Sequence, residues 1–209
     1  FRIMEMDSVP GGIGFTAQIS RLYKKFGYKL IGGENGLIEG LYNAVSTTTE
    51  TQQPVVVIVV SDESESYREE MQWIAQELSG MDKPTYCVHP REILFDNEGL
   101  FIRMQDNNIR IDAIYRFYEL FDLKNIPKSE LISYFTKKNA VRITPPSKAY
   151  LEEKIWLALF HNPQLATFWK KELQTDAYTQ LREMIPQTWI LDPQPIPPHA
   201  SVSNLEIDG

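Results

Sequence analysis

Six consecutive apolar residues, Val55-Val56-Val57-Ile58-Val59-Val60, constrain this chain more than any other stretch. All six are β-branched, which stiffens the side chain and suits a pleated strand. No polar residue interrupts the run, so neither face of such a strand can be left to water. That is the pattern of a strand in a parallel sheet covered on both sides. The residues after it fit the same architecture. Ser61 or Asp62 can start a helix over about Ser64 to Ser79, with Tyr67, Met71, Ile74 and Leu78 inward and Gly80 closing it. Thr85 to Val88 reads as a second strand. Glu92 to Phe95 and Leu100 to Arg103 read as a hairpin across Asn97-Glu98-Gly99. Ile109 to Phe117 reads as one strand, Ser129 to Lys137 as a helix and Val141 to Ile143 as a short strand. The order predicts an α/β fold, with a parallel or mixed sheet and flanking helices.

The two ends are of a different character. Phe1 to Asp7 predicts a strand that enters the sharp turn Pro10-Gly11-Gly12-Ile13-Gly14. A helix is expected from Phe15 to Phe26, with Phe15, Ile19, Leu22, Tyr23 and Phe26 at helical spacing and Gly27 after its end. A second is expected over about Glu34 to Val45. The polar run Ser46 to Pro54 predicts a domain boundary. Further on, Thr144 is placed to cap a helix with Pro145 and Pro146 in its first turn, running to about His161. Asn162-Pro163 breaks it, and Leu165 to Leu173 begins another helix. Pro186, Pro193, Pro195, Pro197 and Pro198 then predict an extended connector. These signals divide the chain into 1–50, 51–145 and 146–209. The start at Phe1 and the ending Asn204 to Gly209 lead us to expect a piece of a longer protein.

A net charge of −7 over 209 residues argues against a broad nucleic-acid or anionic-membrane footprint, so neither partner is expected. The longest apolar run is far too short to span a bilayer. Cys87 is the only cysteine, so no internal disulfide can form, and a reducing, cytoplasmic compartment is expected. Cys87 itself reads as a small core residue rather than a nucleophile.

Several residues could carry chemistry. Glu5 and Asp7, two apart on a strand, would share one face and could meet one hard cation; the plainer alternative is two solvated acids. Gly11, Gly12 and Gly14 precede a helix, whose N-terminus could hold an anion. The pattern is incomplete as a dinucleotide fingerprint, because Ala17 takes the last place, and a tight strand-to-helix turn explains it equally. Arg116 ends a predicted strand, where α/β sheets bind ligands, and could fork a carboxylate or pair with a nearby acid. Arg142 and Lys148 flank the expected helix start, although Lys148 and Glu152, four apart, could form a simple surface pair. His89, His161 and His199 have no metal-binding spacing and read as structural.

Two blocks carry a family resemblance. Glu5-Met6-Asp7-Ser8-Val9-Pro10-Gly11-Gly12 resembles the metal-binding strand of the circularly permuted ATP-grasp proteins, the glutathionylspermidine synthase-like group. Asp7 stands where that family commonly has Asn, which keeps an oxygen ligand and adds charge. Tyr115 to Leu120, Arg142 to Phe160 and Pro186 to Pro193 are similar to uncharacterised members of the same group. The resemblance implies a pre-ATP-grasp-like α/β layer over 51–145, part of an ATP-grasp lobe over 1–50, and a helical segment and connector over 146–209. It implies a ligase that activates a small-molecule or peptide carboxylate as an acyl phosphate for attack by an amine. Glu5 and Asp7 would then be Mg²⁺ ligands, and Arg116, Arg142 and Lys148 would hold carboxylate or phosphates. The family's nucleotide-gripping lysines lie beyond Gly209, so Mg²⁺ and ATP are expected only in the intact protein, and the chain alone is expected to be inactive. The alternative is a non-catalytic α/β module for a small anion or a protein partner. A Rossmann-like nucleotide binder is a third reading, disfavoured by the glycine pattern.

Overall fold

The computed structural model describes residues 2–190, which form two compact units: 9–148, and 2–8 with 149–190. The larger unit is α/β. Its strands β1 (Val56–Val60), β2 (Thr85–Val88), β6 (Ala113–Phe117) and β7 (Arg142–Thr144) form one parallel sheet in the order β2-β1-β6-β7. Strands β3 (Leu94–Phe95), β4 (Leu100–Met104) and β5 (Asn107–Arg110) form a small antiparallel sheet. The helices are α1 (Ile13–Lys25), α2 (Gly36–Ser46), α3 (Arg68–Ser79) and α4 (Ser129–Lys137).

The valine run explains the layering. All five residues of β1 are buried, and their two-residue alternation splits them between two cores. Val56, Ile58 and Val60 join Ala113, Tyr115 and Phe117 of β6 beneath α1, α2 and α3. Val57 and Val59 join Ile114 and Tyr118 beneath α4 and the small sheet, which adds Leu100 and Ile102. The boundary expected in Ser46 to Pro54 falls inside this unit, because Ile38, Tyr42 and Val45 of α2 belong to the first of these cores.

Five expectations are corrected. Residues 2–7 form no strand. They run extended in the smaller unit, where the Ile3 N–H donates to the Met184 carbonyl at 2.8 Å. The single strand expected over Ile109 to Phe117 is two, because β5 pairs antiparallel with β4 and β6 pairs parallel with β1. Asp112 makes the change of partner. Its carboxylate accepts from the Val55 N–H at 2.8 Å, and its carbonyl accepts from the Arg142 N–H at 2.9 Å. Thr144 caps no helix; it ends β7. Each residue before a proline is pushed away from helical geometry, and Thr144 and Pro145 both precede one. The helix therefore begins later, as α5 (Ile155–His161), after a 3₁₀ turn over Ala149–Glu152. Finally, Tyr67, expected inward, is exposed; the residues at helical spacing in α1, Phe15, Leu22, Tyr23 and Phe26, face away from the core, and the helix buries Gly14 and Ala17.

The smaller unit packs α5 with α6 (Ala166–Leu173) and α7 (Thr175–Met184), the last not foreseen. Leu157, Phe160, Tyr178 and Ile185 form its core. His161 is structural, as expected. Arg182 can only donate, so His161 Nδ1 accepts from it at 3.1 Å, and Nε2 donates to the Ile185 carbonyl at 2.9 Å. The other prolines of the expected connector, with His199, lie outside the described residues.

Candidate functional site

Strand order identifies where a ligand would sit. From β1 the chain moves outward to β2, and from β6 outward to β7 in the other direction, so the order reverses between β1 and β6. Open α/β sheets bind ligands at the carboxyl ends of the strands at such a point. Here those ends carry polar residues. Ser61 follows β1 and is 1% exposed, and its hydroxyl has no hydrogen-bond partner among the described residues. Such a buried orphan is uncommon and costs free energy unless something meets it. Asp62 comes next, held by His89 Nε2 at 2.9 Å and by Arg91 at 3.2 Å. His89 is oriented from both sides. Its Nδ1 accepts from the Arg91 N–H at 3.1 Å, and its own N–H donates to Glu92 at 2.6 Å.

Arg116, in β6, is fully buried. Its guanidinium donates to the Tyr118 carbonyl and, at 3.3 Å, to the Pro145 carbonyl, so it ties the carboxyl ends of β6 and β7 together. It also lies 5.6 Å from the Tyr118 ring centroid. Burial pushes the Tyr118 phenol up to about 12, with Arg116 pulling the other way, so the phenol stays protonated at neutral pH. Tyr118 lines a cleft of about 860 Å³ with Lys124, Lys128 and Ser129 at the start of α4 and Ser147 beyond β7. That volume is within the usual range for small-molecule sites, about 300–1,000 Å³. Lys128 is partly committed, donating to the carbonyls of Arg91 (2.6 Å) and Ile93.

The other sequence candidates are scattered. Arg142 pairs with Ala113 at the opposite, amino end of the sheet and donates to Asn139 at 2.8 Å. At ~3.3 Å per residue, Arg116 and Arg142 stand roughly 10 Å apart along the strands. Lys148 is exposed beyond β7. Gly11, Gly12 and Gly14 do lead into a helix, but its N-terminus already holds an anion. Glu70 of α3 accepts from the Gly14 N–H at 2.7 Å and the Gly12 N–H at 3.1 Å. Close approach explains two of the glycines: a Cβ on Gly11 would sit 2.2 Å from the Tyr67 ring, and one on Gly14 2.8 Å from the Glu70 side chain, whereas Gly12 has a φ of +83°. Glu5 and Asp7 are exposed. The Lys154 ammonium, 2.7 Å from Glu5, holds that carboxyl below its usual value by hydrogen bond and charge.

No cluster of three or more acids, histidines or cysteines that could hold a metal occurs among the described residues. As placed, Glu5 would have to exchange Lys154 for a cation to serve as a metal ligand. No described helix is long and apolar enough to cross a membrane.

Sequence reading missed Glu70, Tyr118 and Lys128. Glu70 bonds to glycines 56 and 58 residues away, and no local pattern encodes such a pairing. Ser61 and Asp62 were legible as polar residues directly after an apolar strand, but as helix-capping residues; no side-chain cap hydrogen bond forms at the 3₁₀ turn Glu65–Tyr67 or at α3. Compared with known proteins, the chain matches no family model, and no curated protein matches it by sequence.

Proposed function

We propose that this chain is the substrate-side α/β layer, with adjoining segments, of an ATP-dependent carboxylate–amine ligase-like protein. The crevice at the carboxyl ends of β1 and β6 would seat the carboxylate-bearing substrate. The observation that carries this reading is the buried Ser61 hydroxyl, without a partner among the described residues, at the strand-order reversal, one position past the Val60–Phe117 pairing of β1 and β6. A hydroxyl donates to a carboxylate oxygen, and the neutral Tyr118 phenol can do the same. Arg116 acts here by fixing the β6 and β7 ends, and Lys124 supplies exchangeable positive charge at the cleft. The intact protein would supply nucleotide chemistry. No step is assigned to Glu5 and Asp7, since Lys154 engages Glu5.

The test is ADP release. The intact protein should release ADP from ATP only when a carboxylate and an amine are both supplied, and Ser61→Ala should raise the KM for the carboxylate. The 209-residue chain alone should release none. ADP release by that chain, or none by the intact protein across amino acids and peptides, overturns the proposal. The second reading is a non-catalytic anion-binding or partner-binding module. Glu70 favours it, because the amides that would cradle a phosphate are already bonded. It predicts carboxylate binding without ATP turnover in any form of the protein.

A further inference from the structure

Helix α1 is apolar on two opposite sides. One side buries Ala17 against the sheet layer. The other presents Phe15, Ile19, Leu22 and Phe26, spaced four, three and four residues apart, which aligns them in one stripe along the helix. Phe15 is 68% exposed, Leu22 52% and Phe26 80%. Exposed Tyr23 and Tyr28, stacked edge-to-face at 5.2 Å, widen the stripe at its carboxyl end. Soluble proteins rarely leave so continuous an apolar surface to water unless something covers it.

The charges around the stripe identify what covers it. Exposed Lys24, Lys25 and Lys29 surround its carboxyl end. Its amino end is tied through Glu70 to the start of α3, where Glu65 and Glu69 are exposed. The surface therefore runs from acidic through apolar to basic. We propose that this face is a two-fold interface with a second copy of the chain, α1 lying antiparallel to α1. Phe15 of each copy then meets Phe26 of the other, and Ile19 meets Leu22. Lys25 of each copy approaches Glu69 of the other, while Glu65 stays paired with Arg68 of its own chain. An isologous interface requires such self-complementarity. At about 200 Å² per large side chain, the exposed fractions of Phe15, Leu22, Tyr23, Phe26 and Tyr28 offer roughly 600 Å² of each copy before their neighbours are counted. A standard interface takes about 800 Å² per partner. An anionic lipid surface is a poorer match, because acids border the stripe and the chain carries a net charge of −7. A seam one side chain wide is also the geometry of helix against helix.

Sedimentation equilibrium of the intact protein, beside the 209-residue chain, over roughly 1–200 μM reads the result directly, and a dimer of the chain that the intact protein does not form overturns the proposal. The expected outcome is a monomer–dimer equilibrium weakened about 30-fold or more by Leu22→Lys, a solvent-facing change that leaves the far-UV spectrum intact. Lys25→Glu weakens the dimer as well, and adding Glu69→Lys in the same chain restores it. A monomer throughout the range overturns the proposal, as does a dimer indifferent to Leu22→Lys or to the charge exchange. A monomer that floats with phosphatidylserine vesicles overturns it in favour of a lipid-facing stripe.

Discussion

Removing the Glu70 carboxylate should loosen the start of α1 without unmaking the sheet. Glu70 is half-buried and accepts from two peptide N–H groups, Gly12 and Gly14, at the end of α1 where no side chain of its own caps the helix. Hydrogen bonds to a charged acceptor contribute about 1.5–3 kcal/mol each when the donor would otherwise be buried and unpaired. Water reaches part of this site, so the deletion of an N-cap side chain, about 0.5–2 kcal/mol, is the closer guide for each contact. A favourable interaction with the helix dipole adds a few tenths, which together gives about 2 kcal/mol for Glu70→Ala. That corresponds to about a 30-fold change in an opening equilibrium. The assay is amide hydrogen exchange resolved by residue. Protection at Gly14 and through the first turn of α1 should fall about 30-fold, while Ile58 in the centre of β1 falls much less. Glu70→Gln, which keeps one acceptor oxygen and turns an amide donor toward the other N–H, should lose at least half as much. A change under about twofold at Gly14 in Glu70→Ala refutes the reasoning, because it would mean that these bonds contribute nothing net. Protection of the unmodified Gly12 and Gly14 amides by inorganic phosphate would refute it too, since the carboxylate in place should repel that anion.

Arg116→Met should lower stability by about 2–4 kcal/mol in urea denaturation, because a buried carbonyl and a part-buried one lose their donor. Arg116→Lys should recover only part, since one ammonium cannot span both carbonyls as a guanidinium does; full recovery would show that charge alone matters. Cys87 should resist iodoacetamide in the native chain at pH 8, since burial pushes its thiol from 9.0 up to about 12. The unfolded chain ionises the thiol first, so this contribution to stability is complete below about pH 9 and is lost as pH rises toward 12. Native alkylation at the rate of an exposed cysteine, or no flattening of the alkaline decline in Cys87→Ala, would contradict this.

The α/β class and the fully buried β1 were written locally, in a run of β-branched residues that no solvent-facing strand could carry. So were the hairpin at 97–99 and the inward residues Met71, Ile74 and Leu78. Alternation and helical spacing decide these at short range, and neighbouring residues are enough to express them. Spacing also found the apolar stripe of α1, but spacing states only that residues share a side, not which side the rest of the protein covers. Gly14 and Ala17 won the buried position because α1 lies close against α3, which only small side chains permit. Ile109 to Phe117 was one strand by pattern and two by pairing, since partners are chosen across the sheet rather than along the chain. The glycine loop met the same limit: its amides bond to a carboxylate from another helix. Arg116, Arg142 and Lys148 were each legible as cations near element ends. Only the parallel order of the strands decided that Arg116 stands at the carboxyl end of the sheet and Arg142 at the other, because direction and neighbour are properties of the assembled sheet and of no single segment.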